Sequence, residues 1–230
     1  MKLLLTNDDG IDAEGLATLA RVAQALGDVT VVAPHVLLSG CSHRVTDKQP
    51  LELTQVDGSR YALSGTPADC TRVGLRHLDV DADWVLSGIN HGSNLGTDIY
   101  MSGTVAAVRE AALLGRPAIA FSQYHRPENT IDWSVTAAMA ARVLAELLPQ
   151  SEQVGTYWNV NLPDRVDASA AEIVFCPHDP QPMPVEFEHR DGRLHYTGNY
   201  HDRPRHDGAD IDVCFSGNIA VTRIVNTGVI

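Results

Sequence analysis

The apolar positions change period twice in the first stretch of the chain. Lys2 to Thr6 is a short β-like apolar run; beyond a polar turn, Ile11, Leu16, Leu19, Ala20, Ala23 and Leu26 recur at helical spacing. Val29 to Ala33 is a second β-branched run, ended by Pro34. Strand, helix and strand in this order have the length of a βαβ unit, which places the two strands parallel in one sheet. From Leu51 to Leu63 apolar and polar residues alternate around Asp57-Gly58, a dipeptide that tolerates the positive φ of tight turns, so a hairpin is predicted there. Thr66 then reads as an N-cap, Pro67 as the first helical residue and Asp69 as the third, where a carboxylate meets the positive end of the helix.

The alternation continues to about Leu162. Trp84 to Leu86 predicts a buried strand that opens into a Gly-rich segment, Ser87 to Gly103, and Val105 to Leu114 predicts an Ala-rich helix. Pro117 to Phe121 reads as a strand, Ile131 to Leu148 as a helix and Tyr157 to Leu162 as a further strand, which together predict a mostly parallel α/β sheet. Phe175 to Gly208 is different in texture, rich in His, Pro, Asp and Arg. Its β-like pieces, Val185 to Phe187 and Leu194 to Tyr196, predict an extended hairpin arm, and Asn218 to Ile224 a last strand. Residues 1–170 are therefore expected to form the core. Residues 171–230 would supply the arm and one final core strand rather than a separate domain.

Composition narrows the functional classes. The 230 residues are 44% hydrophobic but only 6% aromatic, which suits an open sheet covered by helices. A net charge of -12, with seventeen Lys and Arg scattered along the chain, opposes a polymeric nucleic-acid partner. A small anion remains compatible, because a bound cation or a helix N-terminus makes local positive potential. Cys41, Cys70, Cys176 and Cys214 lie too far apart for a zinc motif or a disulfide framework, and no apolar segment reaches membrane-spanning length. A cytoplasmic protein with neither export signal nor membrane anchor is expected.

In doubly wound sheets the ligand crevice lies beyond the C-terminal ends of the strands. Three polar loops qualify: Thr6 to Gly10, Pro34 to Thr46 and Ser87 to Thr104. Asp8 and Asp9 can share a ligand only if the chain leaves strand geometry, which Gly10 permits. The repulsion of two adjacent carboxylates is relieved most simply by a divalent cation, although a solvated turn fits the spacing equally. Ser39-Gly40 alone is ordinary turn chemistry, and Asn90 and Asn94 could each cap their own loop. Ser102-Gly103-Thr104 before a helix can receive phosphate on backbone amides and hydroxyls, or serve as a plain N-cap. His43 could protonate a leaving group or be a hydrogen-bonded surface residue. His178, His189, His195, His201 and His206 lack the spacing of a metal-ligand set and fit a subunit contact better.

The order of these motifs carries a resemblance. Leu5-Thr6-Asn7-Asp8-Asp9-Gly10, Val31-Val32-Ala33-Pro34, Ser39-Gly40, Gly65-Thr66-Pro67-Ala68-Asp69-Cys70, Ser87-Gly88-Ile89-Asn90, Asn94-Leu95-Gly96, Ser102-Gly103-Thr104-Val105-Ala106-Ala107 and Asn159-Val160-Asn161-Leu162-Pro163 resemble the SurE family of nucleotidases, closely to about residue 163. The resemblance implies a Rossmann-like three-layer sandwich whose extended β-hairpin arm helps to build a homodimer or homotetramer. It also implies a phosphatase acting on nucleoside 5′-monophosphates, and on 3′-monophosphates as well, with one Mg²⁺ or Mn²⁺ per subunit held by Asp8, Asp9, Ser39 and Asn90. Oxygen ligands of this kind suit such cations.

The mechanism expected from this has the cation polarise the phosphoryl group while Asp8 or Asp9 takes a proton from the attacking water. Amides near Gly40 and Gly103 would hold the developing charge, with Asn7, Asn94, Ser102 and Thr104 beside the phosphate and His43 as general acid. The sequence departs from the family pattern at His35, commonly Asp, at Val36 to Leu38, commonly polar, and at Arg44, usually Ser; the family's usual C-terminal helix has no counterpart. These departures bear on substrate preference and oligomer geometry. They also keep open an alternative, a nucleotide-binding or sensing homologue with little turnover. An aspartyl-nucleophile phosphatase is a further alternative, but it would present Asp-x-Asp rather than an adjacent pair.

Overall fold

The computed structural model describes residues 1–150, 154–165 and 167–226. The chain forms β1 (Lys2–Thr6), α1 (Glu14–Gln24), β2 (Asp28–Pro34), the hairpin β3 (Leu53–Asp57) and β4 (Arg60–Leu63), α2 (Pro67–Arg76) and β5 (Trp84–His91). A short 3₁₀ turn at Gly96–Tyr100 leads into α3 (Gly103–Leu113), followed by β6 (Ala118–Gln123), α4 (Trp133–Leu147) and β7 (Thr156–Leu162). The last part contains β8 (Ile173–Phe175), the hairpin β9 (Phe187–Arg190) and β10 (Arg193–Tyr196), α5 (Asp210–Phe215) and β11 (Ile219–Val225).

The main sheet has the order β3-β4-β2-β1-β5-β6-β7-β11-β8. Its centre is parallel, while β3 on β4 and β11 on β7 are antiparallel. The expected βαβ unit is present, with Leu3 opposite Val29 and Leu5 opposite Val31. β1 explains the middle layer of the sandwich. Its three leucines are fully buried, Leu3 and Leu5 packing with α1 and α4 on one face and Leu4 with α2 and α3 on the other. Both faces of the strand being covered, an unbroken apolar run is what a central parallel strand requires.

Local signals act where the sequence placed them. Thr66 caps α2 in a reciprocal box with Asp69, and Pro67 opens the helix. Asp132 caps α4 by accepting from the backbone N–H groups of Ser134 and Val135. The arm differs in register from its expected pieces: its first strand starts at Phe187 rather than Val185, after prolines 182 and 184, which cannot donate to a ladder. The turn falls on Asp191-Gly192, both at positive φ. Two elements were not expected, the short strand β8 and the helix α5. No helix among the described residues is long and apolar enough to cross a membrane.

Candidate active site

The strand order reverses direction between β1 and β5, and the loops leaving these two strands meet there, at the topological switch point where α/β sheets bind ligands. In the first loop, the Asn7 amide donates to the Gly10 carbonyl at 2.8 Å and the Gly10 N–H returns a bond to Asn7 Oδ1 at 3.2 Å. Gly10 has φ +106°, a conformation that favours glycine. This clamp turns the chain out of strand geometry directly after Asp8 and Asp9. It also commits the Asn7 side chain, fully buried, to the turn rather than to a ligand.

Asp8 is 4% exposed and lies at the N-terminus of α3, where its Oδ1 accepts the Thr104 hydroxyl. A side chain at position 103 would prevent this approach, because a Cβ there would stand 2.8 Å from Asp8 Cβ and 2.8 Å from Cys41 Sγ. Burial raises the Asp8 carboxyl to about 6, and the neighbouring Asp9 adds to the rise; the hydrogen bonds from the Thr104 side chain and backbone oppose it and are outweighed. Burial also raises Asp9, against a hydrogen bond that its Oδ2 accepts from the His91 backbone N–H at 3.0 Å. Two adjacent carboxylates are thus held in a poorly solvated position, and among the described residues no Lys or Arg forms an ion pair with either, the charge of His91 alone favouring the ionised Asp9.

One cavity of ≈ 240 Å³ is lined by Asp8, Ser39, Gly40, Asn90, Asn94 and Ser102, together with Asp98. The structure therefore brings together residues from all three loops. Asn90 donates its amide to Gly92 O at 2.7 Å, which leaves its carbonyl oxygen as the donor atom it can offer a cation. Asn94 donates its amide to Ser122 Oγ at 2.7 Å, while its backbone is clamped by Asn159 and Asn161 from β7. Ser102 caps α3 through the Val105 N–H, and Thr104 spends its hydroxyl on Asp8, so this helix start serves the carboxylate first. Asp9 lies on the adjoining cavity instead.

His43 is not among the residues lining these cavities. Its Nε2 is 2.8 Å from Glu110 Oε2, and Arg72 Nε is 2.6 Å from Glu110 Oε1. Burial alone would raise Glu110, but the hydrogen bonds from His43 and Arg72 outweigh it and hold the carboxyl below its usual range. Nor do the arm histidines form one group: His178 meets Gly96 O, His201 meets Tyr124 and His206 meets Asp179, while His189 and His195 stand on the hairpin.

Several residues that shape the site escaped the sequence reading. Asp98 lines the cavity and its Oδ2 accepts from Arg203 Nη1 at 2.7 Å and from the Tyr200 hydroxyl at 2.8 Å. Asp210, at the start of α5, accepts from the Gly96 N–H at 2.9 Å and the Asp179 N–H at 3.0 Å. The segment after the arm thus buttresses the 93–98 loop, over sequence distances that no local pattern reports.

Residues 3–181 match the family described as Survival protein SurE. The chain belongs to the SurE family. It is 39% identical over 234 residues to the 5′-nucleotidase SurE of Brucella canis, covering 96% of this chain and 91% of that one. A relative from Synechocystis sp., which carries a provisional 5′-nucleotidase name, is 48% identical over 226 residues, covering 97% and 99% of the two chains. The SurE protein from Aquifex aeolicus superposes with a TM-score of 0.88 at 32% identity, over 100% of this chain and 95% of that one. The α/β sandwich with its C-terminal hairpin is therefore a SurE fold.

Proposed function

We propose that this SurE chain is a phosphatase that hydrolyses nucleoside 5′-monophosphates to nucleoside and phosphate with the help of one divalent cation per subunit. The observation that carries this reading is the buried Asp8 carboxylate, raised to about 6, facing one small cavity with Ser39 and Asn90 and with Asp9 beside it. Two carboxylates, a hydroxyl and a carboxamide carbonyl are hard oxygen donors, and the pair of negative charges matches a dication such as Mg²⁺ or Mn²⁺. When bound, such a cation supplies Lewis acidity toward a phosphoryl oxygen and lowers the pKa of water.

The chain's own residues do the rest. Thr104 fixes the rotamer of Asp8 from beneath, and the clamp between Asn7 and Gly10 fixes the backbone that carries both aspartates. Asp9, half-buried and held through the His91 N–H, accepts the proton of the attacking water. The Gly40 backbone, Ser102 and Asn94 surround the rest of the cavity and receive the phosphoryl oxygens. His43 is left out of this mechanism because it lines neither of the two adjoining cavities. The nucleoside 3′-monophosphates are accepted by the same site.

Phosphate release from AMP with Mn²⁺, its loss with a chelator, and its loss in Asp9→Asn test the reading. A protein that binds AMP but releases no phosphate under any divalent cation would instead be a sensing homologue. The exposed apolar residues of the arm, Val185, Phe187, Leu194 and Tyr196, are taken as the contact that builds a dimer or tetramer, which light scattering after removal of the hairpin would test.

A further inference from the structure

We propose that the cavity beside Asp9, between His91, His125 and Trp133, receives the base and ribose of the nucleotide, which makes Trp133 and His125 specificity-determining residues. The inference rests on the phosphatase reading and names where the leaving nucleoside lies.

The cavity has a volume of ≈ 370 Å³. That falls in the range of small-molecule sites, roughly 300–1,000 Å³, whereas the ≈ 240 Å³ cavity at Asp8 suits no more than a phosphoryl group and its ion. The two spaces adjoin. His91 lines both, and Asp9, whose carboxylate is held by the His91 N–H at 3.0 Å, lines the larger one. A phosphate bound at Asp8 therefore has its ester oxygen directed either into this space or into solvent.

The lining matches a nucleoside. His91 and His125 meet edge to face, with ring centroids 4.7 Å apart, and Trp133 and Leu37 supply apolar surface. Leu37 stands 62% exposed at the rim of the cavity, where it can cover one side of a bound ring. The Trp133 ring is fixed from behind, since a Cβ on Gly15 would stand 3.0 Å from its Cη2. Aromatic rings stack on any base, because every base presents a π face.

A larger cavity of ≈ 410 Å³ lies on the other side of the 35–49 loop, but it is a poorer candidate. None of Asp8, Asp9, Ser39 and Asn90 lines it, and its one ring, His35, is bonded to the Leu63 carbonyl at 3.1 Å.

Two arms test the proposal. In the first, kcat/KM is measured with Mn²⁺ on AMP and on glycerol phosphate, which has no base, for the wild type and for His125→Ala. The ratio of the two values should fall about five- to ten-fold in the variant, the loss of one stacking partner. In the second, adenosine is titrated while tryptophan fluorescence is followed. Trp84 and Trp158 are 5% and 6% exposed, so quenching by adenosine reports Trp133, and Trp133→Phe should abolish it. A ratio unchanged by His125→Ala, or no quenching of the wild type up to about 10 mM adenosine, overturns the proposal. If Trp133→Phe does not fold, the first arm and the wild-type titration decide. A wild type that cleaves neither ester overturns the phosphatase reading instead, and the adenosine titration still decides the subsite.

Discussion

Replacing Asp8 by Asn should make the cation-free protein more stable while destroying its activity. In the fold the Asp8 carboxyl is raised from 3.8 to about 6, chiefly by burial, and Asn keeps the shape and the bond from Thr104 without the charge. For an acid so raised, the folded chain holds its proton more tightly than the unfolded chain. Stability therefore falls as pH rises through the window from 3.8 to about 6 and stays lower above it. The full penalty at neutral pH is about 3 kcal/mol, and it shrinks to roughly half at about pH 5. Asn recovers most of this, about 2 kcal/mol once its weaker acceptor is counted, or about 4–8 °C in Tm for a chain of this size. The assay is thermal unfolding in chelator at about pH 5 and about pH 8. Asp8→Asn should melt above the wild type, with a larger gap at the higher pH, and Mn²⁺ should raise the wild type alone. A variant that melts lower at both pH values, or a wild type indifferent to Mn²⁺, would refute the account of Asp8 as a buried charge awaiting a cation.

Other outcomes follow from the same geometry. Gly103→Ala should cut kcat at least ten-fold in a folded protein, because the added methyl meets Asp8 and Cys41 at 2.8 Å; steady-state kinetics beside a melt would show it. Arg203→Met should lower stability by about 3 kcal/mol in urea melts, since it leaves Asp98 buried without its cation partner. Glu110→Gln should cost about 1–2 kcal/mol near neutrality, discounted because Arg72 is 44% exposed. Glu110 is held low, so its contribution is present above the ordinary glutamate value of 4.5 and disappears as pH falls through its own lowered value; melts across that range should show the gap closing. His43→Ala should reduce turnover only a few-fold in the AMP assay, whereas loss of a true general acid would cost about a hundred-fold or more.

The central sheet and the three site loops were legible in the sequence because their determinants are local. Leu3-Leu4-Leu5 lies in a short apolar run of strand length bounded by a polar turn, and Thr66, Pro67 and Asp69 specify a helix start within four residues. The order of the Asp8, Ser39 and Asn90 loops followed from strand polarity. What stayed hidden depends on distant partners. α5 is six residues long with Asp at both 210 and 212, a weak helix by propensity, and its first residue is tied to Gly96 and Asp179. Thr104 reads as a phosphate donor or part of a cap until Asp8 is seen beneath it, and His43 reads as a free loop histidine until Glu110, 67 residues away, is found bonded to it. The base subsite combines rings from three separate segments, His91, His125 and Trp133.

The braces on the 93–98 loop act at long range along the chain. Tyr200, Arg203 and Asp210 are bonded to Ser93, Asp98 and Gly96, and Ser93 and Asp98 line the cavity at Asp8. A substitution in this segment can therefore loosen that wall without touching the turn that carries Asp8 and Asp9. The stiffness of the cavity is thus set in part more than a hundred residues downstream of the wall itself.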